Sequence, residues 1–161
     1  MEDHVNGNGE IPRLKELAEL RFQLRKFLSF SEVASERHGI QAQQYQLLQV
    51  IASAPAGQAA SISYLAERMV LRHNSTVELV DRAERAGLVR RHSDERDLRR
   101  SLIKLTPHGE EILRTLVPEH LAELDRMTDH IVDALRAVNA SKVVGEGAAS
   151  QAAQSSSARQ A

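Results

Sequence analysis

Between residues 61 and 109 the chain reads SISYLAERMVLRHNSTVELVDRAERAGLVRRHSDERDLRRSLIKLTPHG, and its polar side chains fall into two clusters. Arg72, His73, Asn74, Ser75 and Thr76 stand in a row, with Glu78 and Arg82 following at helical spacing. These residue types suit the edges of base pairs. Asn pairs with adenine, Arg with guanine, and a Thr methyl meets a thymine methyl. The second cluster holds Arg90, Arg91, Arg96, Arg99 and Arg100, with Lys104 just beyond. Arg82 and Arg90 suit phosphate contacts, which fix register and carry no sequence information.

Other chemistry finds little support. There is no Gly-rich phosphate loop, nucleophile elbow or Cys–His pair, so no enzyme activity is expected. His92, Ser93 and Asp94 are consecutive, and neighbours in a hairpin do not build triad geometry. The chain has seven His and no Cys. Disulfides, Cys–metal sites and thiol redox sensing are excluded. The His residues lack His-x₃-His or His-Glu-x₂-His spacing, so neither a metal nor a cofactor is expected. A zinc-responsive regulator stays open as an alternative, because dimerisation can bring distant His together.

The two clusters need scaffolding. Ser61 is a candidate N-cap for a helix through about Met69. A second helix begins between Arg72 and Ser75, where Ser75 and Glu78 have capping-box spacing. Val77, Val80 and Ala83 recur on its inward face, which leaves His73, Asn74, Ser75, Thr76, Glu78 and Arg82 outward. Gly87 supplies the left-handed stop. Residues 88–91 and 101–105 read as short strands around a charged loop, His92 to Arg100. Thr106-Pro107 restarts a helix, with Glu110 and Glu111 complementing its positive end.

This block resembles the MarR family of winged helix-turn-helix regulators. The residues that carry the resemblance are Leu65-Ala66-Glu67, Val80-Asp81-Arg82-Ala83-Glu84, Gly87-Leu88-Val89-Arg90-Arg91, Asp97-Leu98-Arg99 and Leu105-Thr106-Pro107-His108-Gly109. Ala83 departs from the family's usual Leu. The resemblance extends more weakly to the flanking helices, covering roughly Pro12 to Ala140. It implies a mostly α fold with a small β-hairpin wing, and terminal helices that dimerise. It also implies an Arg at the wing tip, here Arg96, entering the minor groove, and a brace at the wing base formed by Asp97 and Arg99. A small-molecule effector, often an aromatic acid or phenol, is implied between the dimerisation helices and the head. Phe22, Arg25, Phe27, Tyr45, Leu48 and Leu113 are candidates for its pocket, with ordinary core packing as the competing role.

The rest of the chain fits that frame. At 161 residues, one domain is the prior. Net charge is −1, but residues 61–106 hold ten Lys/Arg against seven Asp/Glu, so positive charge concentrates in the head. Residues 12–38 and 107–140 carry broad apolar stripes at helical steps. Left bare, such stripes form patches that monomers rarely keep, so a homodimer is expected. Pro118 should kink or break the later helix. Residues 1–11 and 141–161 read as disordered tails; sixteen of the last 21 residues are Ala, Ser, Gln or Gly. No apolar run reaches the ~20 residues of a membrane span, and the start of the chain is polar and acidic, without a visible signal peptide. The expectation is a cytoplasmic, sequence-specific DNA-binding regulator. It would be a ligand-responsive repressor that binds a pseudo-palindromic operator in double-stranded DNA as a homodimer, without membrane contact. A winged helix that binds protein, with no role on DNA, is the other alternative.

Overall fold

The computed structural model describes residues 11, 13–55, 60–93 and 101–157, with side chains through residue 140. The element order is α1 (Leu14–Arg37), α2 (Ala42–Ala52), α3 (Ile62–Met69), α4 (His73–Arg85), β1 (Val89–Ser93), β2 (Ser101–Leu105) and α5 (Pro107–Ser157). This is the mostly helical chain with one hairpin that the sequence predicts. It divides into two units, Ser29–Glu123 and the pair of segments Met1–Leu28 with Leu124–Ala161.

The first unit is built around the helix-turn-helix. Ser61 caps α3 as expected, its Oγ accepting from the Tyr64 amide at 3.3 Å. Val70 then adopts a left-handed conformation, φ 54°, and the Leu71 amide reaches back to the Ala66 carbonyl at 2.9 Å. That closes the turn into α4. The same geometry ends α4, where Gly87 has φ 70° and the Leu88 amide bonds the Ala83 carbonyl.

β1 and β2 pair antiparallel, with Val89 opposite Leu105 and Arg90 opposite Lys104. The Ile103 amide also bonds the Ala60 carbonyl at 2.9 Å, and Ser61 bridges Leu102, which ties the hairpin to the start of α3. The core draws on every element: Ala34 from α1, Tyr45, Leu47 and Leu48 from α2, Leu65 from α3, Leu79, Val80 and Ala83 from α4, Val89 from β1, Ile103 from β2, and Ile112 and Leu116 from α5. Ala83 is fully buried there, so the smaller residue is accommodated inside the core behind α4.

The Leu-Thr-x-x-Gly motif has a physical account. Thr106 Oγ1 donates to the Gly87 carbonyl region, 2.6 Å from Gly87 O and 3.1 Å from Leu88 O, and accepts from the Gly109 amide. A Cβ on Gly109 would lie 2.2 Å from the Leu88 carbonyl oxygen. Only glycine lets the first turn of α5 approach the backbone entering β1 this closely.

Of the kink or break that the sequence predicts at Pro118, the break does not occur: α5 runs through it as one helix. Pro118 is exposed, so the Arg114 carbonyl that it leaves unbonded lies on the wet side of the helix. Helical backbone also continues from 141 to Ser157, where composition predicted disorder. That argument concerned burial, whereas Ala, abundant in this stretch, is the strongest intrinsic helix former.

In the second unit, the Arg13 guanidinium donates to the Val138 carbonyl, joining its two segments. Met127 and Ala134 are buried there, while Leu14, Leu17, Leu24, Leu28 and Leu135 remain exposed. No helix among the described residues is long and apolar enough to cross a membrane.

Candidate nucleic-acid interface

α4 starts at His73, with Arg72 as its N-cap residue. Thr76, Leu79, Val80 and Ala83 form its buried face. Arg72, His73, Asn74, Ser75 and Glu78 are exposed on the other side. No side chain caps the helix, and its first turn contains no acid. The leading amides and the positive end of the helix dipole are therefore presented alongside Arg72 and Asn74, an arrangement suited to an anion.

Thr76 corrects the sequence reading. It is fully buried rather than outward, and its Oγ1 donates to the Arg72 carbonyl at 3.0 Å. Its methyl serves the core and its hydroxyl is satisfied locally, so it has no free group for a base edge. Leu79, absent from the predicted inward set, is fully buried. Arg82 is half-buried, and among the described residues its enclosed Nε has no hydrogen-bond partner.

The hairpin sorts its cations by strand alternation. Arg91 turns toward α4, where Nη2 lies 2.5 Å from Asp81 Oδ1 and Nη1 bonds Glu84. The Arg91 amide adds a bond to Glu84 Oε1 at 3.0 Å. These contacts hold the guanidinium above its ordinary pKa, the Asp81 hydrogen bond contributing most. Arg91 was read from sequence as a DNA contact; its guanidinium is engaged here by two carboxylates of α4. Arg90 points to the opposite face and is exposed beside Lys104. Arg96, Asp97, Arg99 and Arg100, and with them the wing-tip and brace expectations, lie outside the described residues.

The six effector-pocket candidates are divided between the units. Tyr45 and Leu48 are core side chains, and Leu113 packs against that core. Phe22 and Arg25 are exposed and Phe27 is half-buried on the early part of α1. A buried polar group that sequence reasoning missed adjoins Tyr45. His120 Nδ1 donates to the Leu116 carbonyl at 2.8 Å, its Nε2 lies 3.0 Å from Ser31 Oγ, and its ring packs on Tyr45 with centroids 4.4 Å apart. Since a carbonyl only accepts, Nδ1 carries the proton. Next to it, Glu119 takes a bond from His38 at 3.1 Å and pairs with Arg37 at 2.9 Å. The His38 bond first, with Arg37 adding, holds the Glu119 carboxyl below the usual range. Among the described residues no three His, Cys, Asp or Glu come together as a metal site.

Comparison with known proteins agrees with this geometry. A family model described as MarR family matches residues 38–100. A solved structure of AbsC, a MarR family transcriptional regulator from Streptomyces coelicolor, is 25% identical. It superposes over 84% of this chain and 90% of its own with a TM-score of 0.61. Over residues 38–100 the chain is similar to the MarR family, and its fold is that of a solved MarR family regulator. Members of this family are transcription regulators rather than enzymes. A Thauera aromatica protein, named as a transcriptional regulatory protein for the hcr operon, is 34% identical over 100 residues. That match spans 59% of this chain and 58% of the relative's length. The S. aureus MepR–DNA complex shares the fold at 16% identity, with a TM-score of 0.54 over 76% of this chain and 97% of its own.

Proposed function

We propose that this chain is a cytoplasmic, sequence-specific DNA-binding transcriptional regulator of the MarR family that works as a homodimer. The observation that carries the reading is the exposed, uncapped N-terminus of α4. There Arg72, His73, Asn74 and Ser75 face outward, while Thr76, Leu79, Val80 and Ala83 fix the helix to the core. A rigid helix that offers donors and acceptors at its first turn is what major-groove readout uses. Arg72 and Asn74 are assigned to base edges. Arg82 and the wing residues Arg96, Arg99 and Arg100 are assigned to the backbone and minor groove, with Asp97 bracing Arg99.

The exposed Leu14, Leu17, Leu24 and Leu28 of α1, with Leu135 of α5, support the dimer. A second copy covers such a stripe, and two-fold symmetry then sets two recognition helices about one DNA turn, ~34 Å, apart. Within this reading the protein is a repressor released by a small-molecule effector, as the family resemblance implies.

Selection of a random-duplex pool with full-length protein at physiological salt tests the proposal. Enrichment of a pseudo-palindrome, with half-sites about one turn apart, is the expected result. Bulk binding that is only salt-sensitive, with no enriched sequence, would refute sequence-specific regulation.

A further inference from the structure

The outer face of the hairpin root carries a pair of cations, of which the sequence reading assigned Arg90 to DNA phosphate. Arg90 and Lys104 stand directly opposite each other on β1 and β2, both exposed. Like charges opposite one another across an antiparallel pair are destabilising. Among the described residues neither has a hydrogen bond or ion pair, in contrast to Arg91 one position away. They border a cavity of about 430 Å³, walled by Ile51, Leu102 and Leu105, with Glu110 at its edge. That volume lies within the range of small-molecule sites, which combine apolar walls with a few placed polar groups.

We propose that this cavity binds a small organic monocarboxylate. The carboxylate lies between Arg90 and Lys104, accepts charge-assisted hydrogen bonds and removes their mutual repulsion. The aliphatic walls take the ligand's apolar body, which selects an organic acid over an inorganic anion. Glu110, whose carboxylate is 3.7 Å from Arg114, keeps negative charge at the rim and disfavours a second carboxylate on the ligand.

The site differs from the effector candidates on α1, α2 and α5, and its occupancy does not depend on the proposed DNA function. Where that function holds, the ligand bears on β1. The same strand carries Arg91, which grips α4 on its other face.

Full-length protein labelled with ¹⁵N provides the test, titrated separately with cyclohexanecarboxylate, the neutral cyclohexanecarboxamide and cyclohexane-1,2-dicarboxylate. The expected result is saturable shifts of the Arg90, Leu102 and Lys104 amides with the monoacid, with Kd on the order of 1 mM. Binding of the amide and the diacid should be at least about tenfold weaker. R90Q and K104Q should each weaken monoacid binding about fivefold or more without lowering the thermal unfolding temperature, since each also removes the like-charge repulsion. Absence of saturable shifts at these amides overturns the proposal. So does binding that survives both substitutions, or equal binding of the neutral amide. If R90Q and K104Q lower affinity for every duplex alike, and the acid never binds, the pair is a phosphate contact and the ligand site is wrong. The DNA reading would then stand without it.

Discussion

Arg91 on β1 and Asp81 on α4 are joined at 2.5 Å, and Glu84, one turn further along α4, takes both the Arg91 guanidinium and its backbone amide. The hairpin is thus locked to the recognition helix by one side chain with two acidic partners. All three side chains are partly exposed, so solvent screening limits their joint worth to about 1 kcal/mol. Their larger consequence is positional. R91Q is expected to cost about 1 kcal/mol in urea denaturation and to weaken operator binding. The slope of log K against log salt should not change, because no phosphate contact is lost. R82Q, which removes a residue assigned to the DNA backbone, should lower that slope by about 1. A salt slope reduced by R91Q would show the guanidinium leaving its carboxylates for DNA. R91K should rescue poorly, since an ammonium cannot fork between two partners.

Gly109 and Leu88 fix a second junction. A methyl on Gly109 would sit 2.2 Å from the Leu88 carbonyl oxygen, and backbone cannot yield as a flexible side chain can. G109A is therefore expected to destabilise by about 2–3 kcal/mol, the range for overpacking a tight contact. Urea midpoints of wild type and variant check it. A loss under about 0.5 kcal/mol, typical of indifferent surface sites, would show that α5 can shift away.

These two junctions mark what was legible in the sequence. The Leu-Thr-x-x-Gly spacing, the Ser61 cap and the Gly87 stop are local. Each needs only its neighbours in the chain, and the structure has them where the residues predicted. Thr76 was misread because its facing depends on helix phase. The inward face read from Val77, Val80 and Ala83 is rotated in the structure to Thr76, Leu79, Val80 and Ala83, which leaves Val77 half-buried. Arg91 was misread for a different reason. Which of two adjacent arginines meets α4 depends on strand register, and period-two alternation inverts the answer with a one-residue slip. His120 was invisible as a buried group because its partners, Ser31 and Tyr45, come from distant elements.

Val70 stores strain in the turn before the recognition helix. It is β-branched, left-handed at φ 54° and 91% exposed, so it has almost no packing to offset the conformation. Gly39 and Gly87 fill the equivalent positions after α1 and α4. Asn tolerates this region far better than Val, and the left-handed penalty for an ordinary residue is about 1–2 kcal/mol. V70N is expected to gain about 1 kcal/mol and to raise Tm by about 3 °C. Calorimetry of the two proteins decides it. An unchanged or lower Tm would mean that Val70 has a packing role at its exposed position.

Tyr45 ties stability to alkaline pH. Tyr45 is 1% exposed, and among the described residues its enclosed hydroxyl has no hydrogen-bond partner. Burial first, and the nearby Glu119 charge second, push its pKa up to about 12 from 10. The neutral phenol is the form the fold prefers. Its contribution is therefore complete below about pH 10, where the unfolded chain also keeps the proton, and is lost as pH rises from there through about 12. Two units correspond to about 3 kcal/mol at the top of that window. Y45F cannot ionise and removes a buried hydroxyl that lacks a partner among the described residues. It should match or exceed the wild type by about 1 kcal/mol near neutrality. Its advantage should widen steadily above about pH 10. Paired urea denaturations at about pH 8 and about pH 11 measure both effects. A constant difference between the proteins at the two values would place the Tyr45 phenolate in water, and a large loss in Y45F near neutrality would reveal a hydrogen bond that its hydroxyl makes.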